Sequence, residues 1–211
     1  MKNIYILSNK DIKGVRKLPV IKQIFLKKEI DFKKYDYLIF TSRNGVKAAQ
    51  NFSSEWKKLP SLVIGEGTKE EILKLGGKVI YVAKSSYGDD FAKEIVKKFD
   101  KKRFLYLRGK KVLSNLTDIL KDSGFDITEE IVYKTVCIKY KNPKNIEKDS
   151  FIIFSSPSTV ECFFKNFKWD KSYKAIAIGK KTATFIPSNI DYKISPVQSL
   201  SEIVKHIQIN F

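Results

Sequence analysis

Hydroxyl, amide and glycine residues cluster where short apolar runs of this sequence end. The run YLIF at 37–40 is followed by Thr-Ser-Arg-Asn-Gly, and the run FIIF at 151–154 is followed by Ser-Ser-Pro-Ser. The runs SLVIG and AIAIG each end in a glycine, with a threonine three residues later. If these runs are parallel strands, each turn leads into a helix N-terminus, whose free backbone N–H groups and positive dipole suit an anion. The candidate anion-binding residues are Ser42, Arg43, Asn44, Gly65, Thr68, Ser155, Ser156, Ser158, Gly179 and Thr182.

Each of these residues also has a purely structural interpretation. A serine or threonine between a strand and a helix ordinarily caps the helix. A glycine at such a turn is typical of a backbone with positive φ, although it also allows a ligand to approach closely. For any single turn the structural interpretation is the stronger one. Four matching turns facing a common cleft favour a ligand site.

The residues of the common catalytic sites are scarce. The one histidine, His206, is predicted to be an exposed helix residue, so no Ser-His-Asp triad can be built. Cys137 and Cys162 lack a CxxC spacing and are expected to be reduced and unpaired, which argues against a zinc or iron–sulfur site. No GxGxxG fingerprint or P-loop supports nucleotide binding. An enzyme without these catalytic groups must bind and orient a substrate that is itself reactive.

Short apolar runs alternate with helix-like stretches along most of the chain, which predicts parallel βαβ units with helices on the sheet faces. These predicted βαβ units form an internal repeat. Ser42 matches Ser156 (156 − 42 = 114), and Gly65 matches Gly179 at the same offset. Two motifs that share one offset indicate two α/β lobes of similar plan.

The second copy has too few residues left to complete a sheet, so the N-terminal strands are assigned to the C-terminal lobe. The predicted fold is therefore α/β with two flavodoxin-like lobes, each a parallel sheet with flanking helices, the middle lobe inserted into the first. The expected domains are residues 1–20 with 137–211, and residues 21–136. Two segments, 20–25 and 132–138, are predicted to form a two-stranded linker beside a ligand cleft. Too few residues separate IYILSN from VRKLPV for a first helix.

Tyr133 lies in the second linker segment, where it either faces the cleft or packs the linker; the residues alone favour packing and leave both open.

The net charge of +18 will attract an anionic partner, whether nucleic acid, acidic membrane or a small polycarboxylate. A lysine-rich composition of the whole proteome is an equally good explanation. Nearly all of the positive charge is lysine, whereas readers of DNA sequence rely on arginine. No apolar run approaches the roughly 18–20 residues of a membrane span. The N-terminus is interpreted as a strand rather than a signal peptide, and the expected location is cytoplasmic.

Six motifs together resemble one known family. FTSRNGVKA, IGEGT, YLRG, VYKT, FSSPSTV and AIGKKTA occur in the order typical of uroporphyrinogen-III synthases. The resemblance implies two α/β lobes joined by a two-stranded ladder, and no cofactor or metal. The implied substrate is hydroxymethylbilane, a small linear tetrapyrrole with eight carboxylates. It would lose water and close with inversion of ring D to uroporphyrinogen III, in haem biosynthesis.

The resemblance also implies roles for individual residues. Tyr133 falls on the family's VYxT tyrosine and would help the hydroxyl leave as a general acid. The serine turns and the two threonines would bind substrate carboxylates, and Arg108 with Gly109, which match the family's RG turn, would also bind the substrate. The expected protein is a monomer without nucleic-acid or membrane partners. The alternatives are a non-catalytic tetrapyrrole-binding module and, as a weaker third, a nucleic-acid-binding protein.

Overall fold

A computed structural model describes residues 2–143, 145–197 and 199–210. The chain divides into two compact units. Unit 1 comprises Met1–Lys22 and Val136–Phe211, and unit 2 comprises Gln23–Thr135. Unit 1 is thus built from both ends of the chain, with unit 2 inserted between them.

The described residues form strands and helices that alternate along most of the chain. In chain order the strands are β1 (Ile4–Ile6), β2 (Arg16–Lys17), β3 (Ile21–Phe25), β4 (Tyr37–Phe40), β5 (Pro60–Val63), β6 (Lys78–Val82), β7 (Arg103–Gly109), β8 (Asp126–Cys137), β9 (Phe151–Phe154), β10 (Lys174–Ala177) and β11 (Tyr192–Ile194). The α-helices are α1 (Arg43–Phe52), α2 (Glu66–Lys74), α3 (Gly88–Lys98), α4 (Leu116–Asp122), α5 (Pro157–Phe164), α6 (Lys180–Ala183) and α7 (Leu200–Asn210). Short 3₁₀ helices span Phe32–Lys34 and Glu55–Lys58.

The strands form two sheets, with orders β11-β10-β9-β1-β2 and β3-β8-β7-β4-β5-β6. Neighbours such as β4 and β5, or β9 and β10, are parallel, as the alternation of strands and helices predicts. The chain passes between the units within β3 and within β8, which are neighbours in the second sheet. The predicted two-stranded linker is therefore present. Strand β8 begins at Asp126, well before the predicted segment, because it also pairs along β7.

Each sheet is covered on both faces by apolar side chains. In unit 2, Phe40 packs with Trp56 on one face, whereas Ile39 packs with Phe91 on the other. Successive side chains of a strand point to opposite faces, so continuous apolar strands such as YLIF supply both cores at once. Unit 1 repeats this arrangement, with Phe154 in one cluster and Ile153 in the other.

The repeat extends through five consecutive elements. Strands β9, β10 and β11 and helices α5 and α6 each begin 114 residues after β4, β5, β6, α1 and α2 (157 − 43 = 114 for the first helix pair). Strand β1 pairs with β9 in unit 1, just as β7 pairs with β4 in unit 2. Ile4 of β1 therefore corresponds to Phe104 of β7. Residues 7–15 of unit 1 form no helix, as predicted from their number.

The cysteine prediction was wrong. Cys137 and Cys162 form a disulfide, with their Cα atoms 5.1 Å apart. Cys137 ends β8 and Cys162 lies in α5, and both pack in the same cluster of unit 1. The pairing follows from the way α5 lies against the end of β8, which no local cysteine spacing encodes.

Candidate functional site

The carboxyl ends of β4 and β7 lie side by side in unit 2. From β4 the chain runs through β5 and β6 on one side of the sheet, and it returns to the other side of β4 with β7. This reversal of strand order is a topological switch point, where open α/β sheets bind ligands beyond the strand ends. Three of the predicted residues meet there: Ser42 after β4, Gly109 at the end of β7, and Tyr133 on the neighbouring β8.

Tyr133 packs in unit 2, which is the alternative that the residues alone favoured. Its ring packs on the core of unit 2, and its hydroxyl forms a hydrogen bond of 2.9 Å with the Ser42 hydroxyl. Burial raises the pKa of Tyr133, and the bond with Ser42 lowers it less, so the pKa lies above its ordinary value of about 10. The phenol is therefore protonated at neutral pH and can donate a proton.

Gly109 lies directly against the Tyr133 ring. The two residues are partners in the β7–β8 register, next to an irregularity between Arg108 and Gly109. A Cβ atom added to Gly109 would lie 2.7 Å from Cζ of Tyr133 and 2.9 Å from its hydroxyl oxygen. The ring can occupy this position only because residue 109 has no side chain.

The hydroxyl oxygen of Ser42 makes two contacts, one with helix α1 and one with Tyr133. It is the N-cap of α1 and accepts a hydrogen bond of 3.4 Å from the Gly45 N–H, so the structural interpretation of this serine is correct. The same hydroxyl reaches Tyr133. A helix cap therefore fixes the group that orients the phenol. Asn44 lies in the first turn of the same helix and is partly buried.

Arg43 lies over the start of helix α2. Its guanidinium carbon is 3.5 Å from the point that a Cβ of Gly67 would occupy. Gly65, the N-cap of α2, has φ of +79°, a conformation that favours glycine. Thr68 is 5% exposed. Within the described residues, the Arg43 guanidinium and the Thr68 hydroxyl form no hydrogen bond or ion pair.

The side chain of Arg108, a predicted site residue, forms its hydrogen bonds with residues of unit 2. Its guanidinium pairs with Glu129 at 2.9 Å, and it donates to the carbonyl oxygens of Gly109 at 3.0 Å and Lys110 at 3.4 Å. Sequence reasoning missed Glu129 as the partner of Arg108, because the stretch ITEEIVY gives no sign of which acidic residue meets β7.

A second tyrosine was also missed. Tyr106 on β7 is 1% exposed, and its hydroxyl forms a hydrogen bond of 2.8 Å with Thr41. Burial raises its pKa to about 12, despite the opposing effect of the Thr41 bond. Tyr106 is thus a buried anchor beside the site. Its only signal in the sequence is the tyrosine of YLRG, two residues before Arg108.

Unit 1 carries the matching turns at its own strand ends. Ser156 caps α5 in a capping box with Thr159, and Ser155 and Ser158 flank it, each partly buried. Gly179 precedes α6 with φ of −174°, so the positive φ expected there is wrong, although the same expectation is correct at Gly65. Thr182 is 4% exposed in α6.

Neither a metal-ligand cluster nor a membrane-spanning helix occurs in the part of the chain that the structure describes. Among residues 2–143, 145–197 and 199–210, no group of three or more histidine, cysteine, aspartate or glutamate side chains could hold a metal ion. Over the same residues, every helix is too short or too polar to cross a membrane. His206 lies in α7, where its ring contacts Asn210.

The fold and the turns at its strand ends define a two-lobed α/β protein with helix-terminus turns of the kind that hold anions. The family model described as uroporphyrinogen-III synthase HemD matches residues 15–197, and the chain belongs to the uroporphyrinogen-III synthase family. It is therefore an enzyme of tetrapyrrole biosynthesis, a cyclising lyase.

Solved structures show the same fold. The uroporphyrinogen-III synthetase of Helicobacter pylori is 24% identical, with a TM-score of 0.84 and 99% of each chain covered. A mutant uroporphyrinogen III synthase of Thermus thermophilus is 13% identical, with a TM-score of 0.55 over 99% of this chain and 98% of the other. No curated protein sequence matches this chain.

Proposed function

We propose that this enzyme converts hydroxymethylbilane into uroporphyrinogen III, with loss of water and inversion of ring D, and that Tyr133 is its proton donor. One observation carries the assignment of Tyr133: its protonated hydroxyl is bonded to Ser42 at 2.9 Å, at the switch point of unit 2. A buried phenol held by one hydroxyl partner can pass its proton to a substrate oxygen brought within hydrogen-bond distance.

The first step is loss of the terminal hydroxyl of the substrate. Tyr133 donates its proton to that oxygen while the C–O bond breaks, the electron pair of the adjacent pyrrole nitrogen forms the azafulvene, and water leaves. The tyrosinate oxygen accepts a hydrogen bond from the Ser42 hydroxyl at this stage.

The methylene carbon of the azafulvene then bonds to the substituted α-carbon of ring D, which gives a spiro intermediate. The older bond from that α-carbon to its bridging methylene breaks, and this methylene bonds instead to the free α-carbon of ring D, so that the ring is inverted. The free α-carbon then loses its proton as ring D regains aromaticity, and the tyrosinate takes up that proton. The product is the substrate less one water.

The substrate carboxylates are the ligands of the helix-terminus turns. In unit 2, the unpaired Arg43 guanidinium, the start of α2 at Gly65 and the Thr68 hydroxyl form one carboxylate subsite, with Asn44 and Ser42 beside it. In unit 1, the corresponding groups are Ser155, Ser156, Ser158, Gly179 and Thr182. Arg108 and Gly109 belong to the site through Tyr133. The net charge of +18 favours the approach of an octa-anion.

The working form is a cytoplasmic monomer that needs no nucleic acid or membrane. One chain carries both sets of turns, which supports the monomer, and the positive charge is almost entirely lysine, which argues against a reader of nucleic-acid sequence. The disulfide between Cys137 and Cys162 argues against the cytoplasmic location, because such bonds are rare in the cytosol. The lobes are residues 1–20 with 137–211, and residues 21–136. The division of contacts near residues 22 and 135 supports these boundaries.

The direct test of the function is the isomer that forms. Purified protein added to freshly made hydroxymethylbilane is expected to give uroporphyrinogen III, whereas the sample without protein gives isomer I. The two isomers are separated by chromatography after oxidation to porphyrins. An isomer ratio equal to that of the protein-free control would overturn the proposal. Tight substrate binding without isomer III would then identify a non-catalytic tetrapyrrole-binding module.

The Arg43→Ala variant tests the carboxylate subsite of unit 2. We expect KM for hydroxymethylbilane to rise about 10-fold, since a charge-assisted bond to a carboxylate contributes on the order of 1.5 kcal/mol. The value of kcat should stay within about 2-fold, because the lost bond is present in both ground and transition states. Lys47→Ala is the matched control, an exposed cation on the same helix whose ammonium is 3.9 Å from Glu71. Equal KM values for the two variants would remove Arg43 from the subsite.

A further inference from the structure

Both terminal nitrogens of Arg108 are engaged inside unit 2, whereas its buried Nε atom has no hydrogen-bond partner within the described residues. One nitrogen, Nη2, donates to Glu129 at 2.9 Å. The other, Nη1, donates to the carbonyl oxygens of Gly109 at 3.0 Å and Lys110 at 3.4 Å. The side chain is only 16% exposed. The same guanidinium therefore holds a carboxylate on β8 and the backbone of the turn that follows β7.

Glu129 neutralises this arginine. One of its oxygens pairs with Arg108, and the other accepts a hydrogen bond from the buried Thr117 hydroxyl on α4. Burial raises the pKa of Glu129, but the bonds from Thr117 and Arg108 outweigh it and lower the pKa below its ordinary value. The carboxylate is therefore ionised at neutral pH. A substrate carboxylate that approached Arg108 would meet this negative charge on the same guanidinium.

The turn that Arg108 holds carries the Tyr133 ring. The Lys110 N–H donates to the Tyr133 carbonyl oxygen at 2.9 Å. The Gly109 backbone lies so close that a Cβ would be 2.7 Å from Cζ of the ring. Any shift of this backbone must move the ring and its hydroxyl relative to Ser42.

The fold does not require this arrangement. Unit 1 has the same order of strands, with β9, β1 and β2 in the places of β4, β7 and β8. The register places Ile6 where unit 2 has Tyr106, so Ser8 stands at the position of Arg108. Lys17, the partner of Ile6 on β2, stands at the position of Glu129. A sheet with this strand order, lacking a counterpart of β3, forms in unit 1 without the ion pair, although β1 ends at Ile6, two residues before Ser8. Only unit 2 carries the tyrosine.

We propose that Arg108, fixed by Glu129 and Thr117, is a positioning residue that holds the Gly109–Lys110 turn against the Tyr133 ring and so aims the tyrosine hydroxyl. It acts through Tyr133 and is not a carboxylate ligand of the substrate. The inference rests on the proposed function, because the direction of the hydroxyl matters only if Tyr133 donates the proton.

The test compares Arg108→Lys and Glu129→Gln with the unsubstituted enzyme. Lysine keeps the charge of Arg108 but cannot make the forked set of bonds, and glutamine keeps the shape of Glu129 without its charge. We expect kcat to fall about 10-fold in each variant, with KM within about 2-fold, because misdirection of a reacting group affects the chemical step. In a Tyr133→Phe background, Arg108→Lys should slow the reaction no further, since the two residues act as one unit.

A spectroscopic signal reports the position of Tyr133 independently of activity. In protein carrying ¹³C at tyrosine Cζ, the Tyr133 resonance is assigned by its loss in Tyr133→Phe. It should shift in both Arg108→Lys and Glu129→Gln. Arg103→Lys is the matched control, an arginine–carboxylate pair on the same strand, where Nη2 is 3.0 Å from Asp36. That variant should keep both the resonance and kcat.

Three outcomes would overturn the inference: a rise in KM with unchanged kcat, additive losses in the double variant, or an unshifted Tyr133 resonance. If Arg108→Lys does not fold, Glu129→Gln provides the same measurements. Full activity of Tyr133→Phe would instead overturn the donor role in the proposed function. The resonance would still show in that case whether Arg108 sets the position of the ring.

Discussion

Replacement of Gly45 by alanine is expected to lower the free energy of unfolding by about 3 kcal/mol, the upper part of the range for overpacking a tight contact. Gly45 lies in the first turn of α1, and a Cβ there would be 2.7 Å from the carbonyl oxygen of Leu107 on β7. Both partners are backbone, so the methyl group can fit only if the helix or the strand moves. Urea denaturation followed by circular dichroism would give the change in free energy.

Gly67→Ala is the matched control for this stability measurement. Gly67 also lies in the first turn of a helix, and the three atoms nearest to a Cβ there all belong to the Arg43 side chain, the first at 3.5 Å, an ordinary contact. Because alanine has the higher helix propensity, we expect this variant to be as stable as the unsubstituted protein or up to about 1 kcal/mol more stable. Equal stability of Gly45→Ala and Gly67→Ala would contradict the close approach of α1 to β7.

The Tyr133→Phe variant is expected to lower kcat about 10- to 100-fold, while KM and the midpoint of unfolding change little. This loss lies at or below the lower end of the range of about 10²- to 10⁴-fold for general acid catalysis, because the substrate is reactive and a phenol is a weak acid at neutral pH. The ring still packs on the core and against Gly109, so only the hydroxyl and its bond with Ser42 are lost. Initial rates of isomer III formation with circular dichroism melting curves measure both effects.

The pH dependence of the reaction rate is a second test of Tyr133 as the proton donor. A donor is active while protonated, so the rate contribution of Tyr133 is present below its pKa in the folded enzyme and is lost as the pH rises through that value. Since burial raises this pKa, the decline should begin above about pH 10, the ordinary value of tyrosine. It should be absent in Tyr133→Phe.

Tyr106→Phe is the matched control for Tyr133→Phe. Tyr106 also pairs its hydroxyl with the turn after β4, through Thr41 at 2.8 Å, but only 1% of its surface is exposed. We expect about 1 kcal/mol of lost stability from the missing hydrogen bond and an unchanged kcat. Equal losses of kcat in the two variants would show that the tyrosines support the fold and that Tyr133 is not the donor.

The positions of the strands and helices could be predicted because their causes are local. The run YLIF is buried on both faces of its sheet, and Ser42 caps the helix that follows, so a few adjacent residues encode strand, turn and helix together. The repeat was equally visible, because two turns with the same requirements keep the same residue types at the same spacing. From these features follow the α/β class, the two lobes and the insertion.

The candidate site was predicted only in part. The turns at the strand ends were identified because helix N-termini need hydroxyls or glycine whatever the ligand. Arg108 was identified by family resemblance, but its partner was not, because the bond to Glu129 joins residues 21 positions apart through the register of two strands. The bond between Ser42 and Tyr133 joins residues 91 positions apart, and that between Thr41 and Tyr106 joins residues 65 apart.

The sequence by itself therefore determined the elements, their order, the repeat and the types of residue at each strand end, because propensity, periodicity and capping act over a few residues. Only the tertiary structure decided which of those residues touch. It paired Cys137 with Cys162, set Arg108 against Glu129 rather than free, and placed Gly109 beneath the Tyr133 ring. These contacts depend on strand register and on the distance between a helix and its sheet, and both are fixed by the packing of the whole unit.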